Sequence, residues 1–467
     1  MTSQKKAKNS ADKTLTEEDF SYLPTWGLRH LAVLYPSCRN YKLSLWGTRY
    51  VTDMSNLFKG CDGTWRELAG ISEGDTSNVT NMSHMFDGYS GQIPDISRWD
   101  TGKVEDMSYM FKECIGMKEA PVAKWDTSNV KNMEGMFDNC CGCSKIPTNN
   151  WNTSNVTNMN GMFRNCVLLS DPKCLYWDTR NVTDMGYMFY QCNSLTRFHI
   201  PTLNTQKVTN MERMFYLCPS LTVINLTNFD TRNVANMERM FAYCNNLLKI
   251  KFSAKFTTKN VTTMKEMFRG CSALEIINTS GFDTSNVVDM SKMFKGCTDL
   301  KCVITAKFRT GKVTNMPYMF ADCSKLTEIK VANWDTSKVV DMAHMFQNCS
   351  SLISIDISSW DTSNVRDMGN MFTNCKSISK LDVSNWNTKF VVQMADMFAG
   401  CNSLASLDLS KWNTSSVACC REMIARCYSL GFFKNNLNLA VMGNWEKENM
   451  TLFAINAIEN KIKNLHV

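Results

Sequence analysis

The feature that most constrains this chain is a short motif that recurs at an almost constant interval. The pattern Val-x-x-Met-x-x-Met-Phe-x-x-Cys stands out at residues 130–140 and again at 365–375, and it occurs about fifteen times. Successive motif phenylalanines lie about 26 residues apart. A fixed period of this length is typical of a solenoid, in which each repeat forms one coil that contacts only its neighbours. One stack of coils therefore replaces the roughly three domains that 467 residues would otherwise suggest.

Within each repeat the hydrophobic spacing changes once. The Val, Met, Met, Phe and Cys of the motif fall at offsets that share one face of a short helix. Ahead of the motif, Ile355 and Ile357 alternate with polar residues as in a half-buried strand. The polar run Trp360–Asn364 suits a tight turn, with Ser363 or Asn364 as the helix N-cap. The sequence thus predicts an α/β repeat solenoid of about 15 coils, each with one short parallel strand and one short helix.

Stacking turns each motif position into a ladder of like residues, about 4.8 Å apart along the axis. Burying one Phe or Met contributes roughly 1.5 to 3 kcal/mol, so several per coil can stabilise the array without metal or disulfides. The 32 Met, 21 Cys, 25 Phe and 12 Trp follow from the motif and call for no cofactor. The residues assigned to these structural ladders include Phe137, Phe163, Phe189, Phe215, Cys140, Cys166, Cys192, Cys218, Trp334, Trp360, Trp386 and Trp412.

Most of the cysteines occupy the last motif position. Equivalent cysteines of adjacent coils would lie within disulfide range, yet a ladder of buried thiols is the commoner use of such a position. We therefore predict reduced thiols. Cys141 and Cys143, with the pair Cys419 and Cys420, contain fragments of a zinc-binding pattern. Because the chain has five His and no second spaced pair, no metal site is predicted.

The stretch WDTSNVRDMGNMFTNCKSISKLDVSNW, from Trp360 to Trp386, resembles in full the repeat of the BspA-like leucine-rich-repeat proteins. This repeat class, about 26 residues long, is common in mycoplasma lipoproteins and other bacterial surface proteins. The resemblance covers residues from about 46 to 427. It implies a leucine-rich-repeat-like solenoid, a role in surface display, adhesion or protein binding, and no catalytic residues. No signal peptide, lipid-attachment cysteine or transmembrane segment is visible, so the compartment stays open although the resemblance implies the cell surface.

The ends of the chain lack the repeat. Residues 1–22 carry balanced charges and no apolar run, which predicts a flexible leader. Residues 23–45, with Trp26 and Leu31, predict a helical N-terminal cap before the solenoid of residues 46–427. Residues 428–467 end in apolar residues at helical spacing and predict a C-terminal helical cap.

The excess of positive charge is concentrated in one part of the repeat array. Residues 245–330 hold 14 Lys and Arg against 7 Asp and Glu, whereas the chain as a whole carries a net charge of +7. Immediately beyond, the mid-strand position is acidic in three successive coils, and stacked like charges repel unless a partner, a cation or solvent relieves them. The candidate partner-binding residues are Lys249, Lys251, Lys255, Lys301, Lys307, Arg309, Lys330, Asp356, Asp382 and Asp408. A solvated sheet face would account for the same residues without any ligand.

The sequence does not suggest an enzyme, because its His residues are scattered and it shows no phosphate-binding loop or nucleophile motif. The pattern favours a non-enzymatic repeat protein whose extended surface binds another protein in adhesion, surface display or scaffolding. Two alternatives stay open. The basic coils of residues 245–330 could bind a polyanion, either a glycan or a nucleic acid, or the chain could be a structural component of a larger particle.

Overall fold

The computed structural model describes residues 48–61, 68–172, 174, 176–200, 202–305 and 307–435. The predicted leader, the predicted N-terminal cap and residues 436–467 of the predicted C-terminal cap lie outside these residues. Two 3-10 helices span Thr48–Tyr50 and Leu68–Glu73. The strands are β1 (Arg197–His199), β2 (Val223–Leu226), β3 (Lys249–Phe252), β4 (Ile276–Ile277), β5 (Cys302–Val303), β6 (Ser406–Leu409) and β7 (Phe432–Asn435).

The motif segment forms consecutive β-turns, and the prediction of a helix there is wrong. No α-helix occurs among the described residues. The backbone N–H groups of Met136 and Cys140 donate to carbonyls three residues earlier, at 3.3 and 3.1 Å. The N–H group of Asp138 likewise stays in the coil and donates to Gly135, whereas those of Phe137 and Asn139 donate to carbonyls of the next coil, Met162 at 2.9 Å and Arg164 at 2.7 Å. Intracoil turns therefore alternate with hydrogen bonds that join one coil to the next.

Two residues in each motif adopt a left-handed backbone, which an α-helix does not admit. In the coil of Phe137 they are Gly135 (φ 53°) and Asn139 (φ 59°), and the same two positions have positive φ in each coil from Asn56 to Arg426. Gly and Asn adopt this conformation more readily than other residues do. Neither predicted N-cap residue caps a helix: the N–H of Ser363 donates to Oδ1 of Asp361 at 2.9 Å, and the amide of Asn364 donates to the carbonyl of Ser337 at 2.6 Å.

Parallel pairing between coils occurs along two columns. The first contains the strands, arranged as parallel sheets β1-β2-β3, β4-β5 and β6-β7, with Val223 opposite Lys249 in the register of β2 and β3. In other coils this column is reduced to isolated bridges, as between Glu328 and Ser354. The second column consists of single bridges just before the first motif Met and runs from Asp53 to Cys419. The predicted strand is therefore present in only some of the described coils.

The core is a set of parallel ladders. Motif phenylalanines of adjacent coils stack with nearly parallel rings, and their centroids are 5.3 Å apart for Phe294 and Phe320. Trp360 and Trp386 stack in the same manner at 6.3 Å. Each Phe, Cys and Trp assigned to a ladder from the sequence is buried, with at most 3% of its surface exposed. Each coil thus covers the apolar faces of its two neighbours.

The thiols and most of the indoles of these buried side chains are hydrogen-bonded across coils, whereas the indole N–H of Trp334 has no partner among the described residues. The thiol of Cys140 donates to the carbonyl of Phe111 at 2.9 Å, and the same contact recurs at each motif cysteine from Cys114 to Cys427. The indole N–H of Trp360 donates to the carbonyl of Val331 at 3.1 Å. These bonds remove much of the cost of burying a polar group.

The Trp-Asp-Thr-Ser-Asn segment, which we call the corner, joins coils through its own side chains. The buried hydroxyl of Thr127 donates to the carbonyl of Asn152 in the next coil at 2.9 Å. The amide of Asn129 donates to the carbonyl of Gly102 in the preceding coil at 2.6 Å. The corner therefore contributes to coil stacking through its consensus Thr and Asn.

One coil contains an extra residue between its strand and its corner. Phe252 lies opposite Leu226 in the register of β2 and β3. The turn that leads to the corner aromatic starts at Leu226 in one coil, where Phe229 donates to its carbonyl, but at Ser253 in the next, where Phe256 donates to the Ser253 carbonyl. Phe252, the strand residue just before this displaced turn, packs against Phe256 with ring centroids 4.6 Å apart.

The phenylalanine ladder generates a prediction about stability. Phe215→Ala removes a fully buried ring that stacks on both neighbouring coils, so we expect the free energy of unfolding to fall by about 3–5 kcal/mol. Urea denaturation measures this change. Leu248→Ala is the matched control, because Leu248 is 59% exposed, and it should shift the value by less than about 0.5 kcal/mol. Equal effects of the two substitutions would contradict the ladder.

The thiol ladder generates a second prediction. Burial raises the pKa of the motif cysteines, to about 12 for Cys244, so thiolate is scarce at neutral pH. We expect iodoacetamide to leave Cys244 and Cys297 unmodified in the folded protein and to alkylate both in concentrated guanidinium chloride, as measured by peptide mass spectrometry. Cys302, which is only partly buried, should react sooner. Rapid modification of Cys244 in the folded protein would show that the ladder opens.

Candidate functional site

The basic residues selected from the sequence lie at the surface on the strand column and the adjoining corner. Lys249 and Lys251 are exposed on β3 and flank the half-buried Ile250. The other five cations are also exposed: Lys255, Lys301, Lys307, Arg309 and Lys330. We call the side chains exposed along the strand column between residues 248 and 356, at the strand and bridge positions and directly beside them, the strand face. The structure thus places these cations on adjoining surfaces of successive coils.

Not all of this positive charge is available to a partner. The ammonium group of Lys301 lies 2.9 Å from the carboxylate of Glu275 in the preceding coil. Within the described coils, Lys249, Lys251 and Lys330 form no ion pair. The strand face is therefore less basic than the sequence count suggests, and its cations are separated rather than continuous.

Apolar side chains lie among these lysines. Leu248 and Ile276 are 59% and 60% exposed, and Ile304 and Ile353 are also exposed on the strand face. Single exposed apolar residues are ordinary, but a succession of them along one column of adjacent coils is typical of a protein-binding surface. The strand face therefore combines apolar contact area with separated positive charges.

A cleft of about 830 Å³ opens at the corners of three successive coils. Lys307 and Arg309 line it together with Asp283 and Asp335, and the buried ring of Phe308 forms part of its wall. Hydrogen bonds from Ser285 lower the pKa of Asp283, and the charge of Arg309 contributes in the same direction. The cleft thus presents carboxylates and cations side by side.

The coil at the centre of this cleft departs from the corner consensus. Arg309 replaces the usual Asp, and Gly311 replaces the usual Ser. A Cβ atom on Gly311 would lie 2.8 Å from Oδ2 of Asp335, so a larger residue would displace that carboxylate. Oδ1 of Asp335 accepts hydrogen bonds from the N–H and hydroxyl of Ser337, at 3.0 and 2.6 Å. Arg309 thus adds a cation to the cleft, and Gly311 allows the backbone to pack closely against Asp335.

The three acidic residues beyond the basic coils have a structural role. Oδ1 of Asp382 accepts hydrogen bonds from the hydroxyl and the N–H of Ser384, at 2.7 and 3.1 Å, and these bonds lower the pKa of Asp382 although the nearby Asp408 opposes the effect. Asp356 and Asp408 accept the equivalent backbone bond. Each carboxylate therefore stabilises its own turn.

A second polar cluster lies on the motif segment, which we call the turn face, and sequence reasoning missed it. The carboxylate of Glu266, 3% exposed, lies 2.9 Å from Arg239, 3.1 Å from Arg269 and 3.8 Å from Lys292. Burial alone would raise the pKa of Glu266, but hydrogen bonds and charges from Arg239 and Arg269 outweigh it and lower the pKa to about 2. The sequence signal for this cluster was the pair of charged residues between the motif methionines in successive coils, Met-Glu-Arg-Met at 237–240 and Met-Lys-Glu-Met at 264–267.

Cys141 and Cys143, which contain a fragment of a zinc-binding pattern, each form a separate hydrogen bond. The thiol of Cys141 donates to the side chain of Asn139 at 3.0 Å, and that of Cys143 donates to the carbonyl of Lys145 at 3.4 Å. Among the described residues, no group of three His, Cys, Asp or Glu is placed to hold a metal ion. In that same part of the chain, no helix is long and apolar enough to cross a membrane.

The repeat matches a protein family described as Mycoplasma protein of unknown function, DUF285. The matched segments are residues 31–145, 141–250, 220–328, 262–381 and 350–464. The chain belongs to this family. The family match confirms the resemblance to BspA-like repeats, and together with the coil geometry it identifies the fold as a repeat solenoid. No curated protein matches the sequence at a significant level.

Solved leucine-rich-repeat proteins are distantly similar to this member of the family. One from Bacteroides ovatus is 18% identical over 64% of this chain and 80% of its own, with a TM-score of 0.37. One from Eubacterium ventriosum is 18% identical over 70% of this chain and 78% of its own, with a TM-score of 0.34. An internalin from Listeria monocytogenes is 12% identical over 67% of this chain and 82% of its own, with a TM-score of 0.23.

The cluster around Glu266 generates a prediction about pH. Because the folded-state pKa lies below the unfolded value, the carboxylate stabilises the fold above about pH 5, and this contribution is lost as the pH falls towards 2. Glu266→Gln should lower the free energy of unfolding by about 3 kcal/mol at pH 7, and the difference from wild type should narrow towards pH 2. Urea denaturation across this range measures both values. Glu105→Gln, at an exposed ion pair, should show little difference at any pH. A pH-independent difference for Glu266→Gln would contradict the prediction.

Proposed function

We propose that this chain is a non-enzymatic scaffold that binds another protein through the strand face and the adjoining corner cleft. The observation that carries the proposal is the succession of exposed apolar residues Leu248, Ile276 and Ile304 among the lysines of the same column. Apolar contact area surrounded by separated charges is the usual composition of a protein-protein interface.

The corner cleft supports a protein partner over a polyanion. Any ligand that contacts Arg309 there also meets the carboxylates of Asp283 and Asp335. A glycan sulfate or nucleic acid phosphate would be repelled by these carboxylates, whereas a protein can present charges of both signs. The pairing of Lys301 with Glu275 reduces the positive field still further. We therefore rank the polyanion reading second.

The repeat architecture suits this role. Buried ladders hold the coils in register, so surface positions can change without loss of the core. The family resemblance extends the proposal to adhesion or surface display, and a separate alternative is a role as a structural component of a larger particle. A partner recovered in fixed stoichiometry would favour the last of these.

An affinity experiment with paired variants tests the proposal. The full chain is immobilised and exposed to lysate from its source at low and high salt, before and after nuclease treatment. We expect Lys251→Glu/Lys330→Glu to lose protein partners that wild type retains at high salt. Lys118→Glu/Lys124→Glu is the control, because it makes the same charge change at exposed lysines in distant coils.

The outcomes separate the two functions. A polyanion contact to several lysines weakens by orders of magnitude when salt rises severalfold, whereas a contact with an apolar centre does not. Retention by wild type and control, with loss from the strand-face variant at both salt concentrations, supports a protein partner. Binding that vanishes at high salt or after nuclease treatment refutes it and favours the polyanion.

A further inference from the structure

The turn face carries a continuous strip of tyrosine and arginine side chains that the strand-face proposal does not use. We call it the tyrosine-arginine stripe, and its members are Tyr187, Tyr190, Arg213, Tyr216, Arg239 and Tyr243. Tyr187, Arg213 and Arg239 share one motif position in three successive coils, Tyr190 and Tyr216 share another, and Tyr243 lies one residue beyond the second position. All are partly exposed. Tyrosine and arginine are the residue types most enriched at the energetic centres of protein interfaces.

Contacts within the stripe hold its rings in place. Tyr190 and Tyr216 stack with centroids 5.0 Å apart, and Tyr216 meets Tyr243 edge-on at 5.5 Å. The guanidinium of Arg213 lies over the ring of Tyr187 at 5.2 Å. Side chains that are already ordered lose little conformational entropy when a partner binds. The stripe is thus a preorganised surface.

The charge of the surrounding turn face favours an acidic ligand. The motif segments 211–218, 237–244, 264–271 and 290–297 contain six Lys or Arg against three Glu. The three carboxylates are occupied internally: Glu212 pairs with Arg213, Glu238 with Arg239, and Glu266 with Arg239, Arg269 and Lys292. The excess of positive charge therefore lies beside the Tyr243 end of the stripe, where Lys265 and Lys295 form no ion pair among the described residues and are available to a partner's carboxylates.

We propose that the tyrosine-arginine stripe is a second docking surface and binds an acidic protein segment. The stacking within the stripe disfavours a single-stranded nucleic acid, because base stacking needs open ring faces. The facing sides of Tyr190 and Tyr216 cover one another, and Arg213 covers a face of Tyr187. Arg213 and Arg239 are paired with glutamates and Tyr187 bonds to Glu212, so the edges of Tyr190, Tyr216 and Tyr243 remain for small apolar side chains, and the cations beyond Tyr243 remain for carboxylates.

The chain itself supplies substitutions that the fold accepts. Asn370 occupies the position of Arg213 with a φ of 58°, and Ala242 occupies the position of Tyr216. Arg213→Asn/Tyr216→Ala should therefore remove the centre of the stripe without breaking the coil. His344→Asn/Gln347→Ala makes the same changes at the same two positions five coils further along and is the matched control.

The test begins with a random 16-residue peptide display library selected on the full chain. Enriched peptides are then labelled, and their dissociation constants are measured by fluorescence anisotropy. We expect acidic peptides whose affinity falls about tenfold or more with Arg213→Asn/Tyr216→Ala and less than about twofold with His344→Asn/Gln347→Ala. Melting curves of both variants should match wild type, which establishes that the coils are intact.

Several results would overturn the proposal. The selection could yield no peptide or only non-acidic ones, the stripe variant could bind as wild type does, or an oligothymidine 20-mer could be the ligand that the stripe variant loses. Lys251→Glu/Lys330→Glu separates the two surfaces. Acidic peptides lost with that variant and retained by the stripe variant would refute the stripe and leave the strand-face proposal standing, whereas the reverse pattern supports the stripe.

Discussion

The structure depends on the hydrogen bonds that pass from the turn face of one coil to the next. Alternate N–H groups of the motif, such as that of Phe137, donate to carbonyls of the following coil, and the N–H groups between them close turns within their own coil. This arrangement needs two left-handed residues per motif. It satisfies the backbone without an α-helix or a long strand, and it directs the Met, Phe and Cys side chains into the core.

Because each bond joins neighbours, the stability of the array is distributed along its length. Thiols, indoles, threonine hydroxyls and asparagine amides repeat the same contacts from coil to coil, so no single polar group holds the stack together. Many exposed side chains are therefore not needed for coil stacking and can vary. The strand face, the corner cleft and the tyrosine-arginine stripe use this freedom with three different side-chain compositions.

The repeat and its register could be predicted from the sequence, but the geometry of the motif could not. Inward residues three or four apart suit a helix and also suit consecutive turns, and the hydrophobic spacing does not distinguish them. In some coils the distinguishing signal was Gly or Asn at the two left-handed positions, as at Gly135 and Asn139, because a helix disfavours these residues.

The site could be predicted in part for similar reasons. Exposure of Lys249 and Lys251 follows from strand alternation, whereas the pairing of Lys301 with Glu275 depends on contacts between coils. The cleft around Arg309 requires three corners at once, and the stripe consists of positions that the helical interpretation treated as variable surface. The cleft and the stripe are each formed by side chains of several neighbouring coils, and the sequence of a single repeat does not show which of them lie together.

The extra residue that follows Phe252 shows where this architecture accepts a change in length. The coil that contains it is longer by one residue, yet its β3 strand stays in register and its motif still bonds to the next coil. The extra residue at the junction of strand and corner therefore leaves the phenylalanine ladder intact, with Phe241 and Phe268 stacked at 5.4 Å. A longer loop at this junction would lie beside the surface that carries Lys251 and Lys255. It would change the surface available to a binding partner and keep the same core.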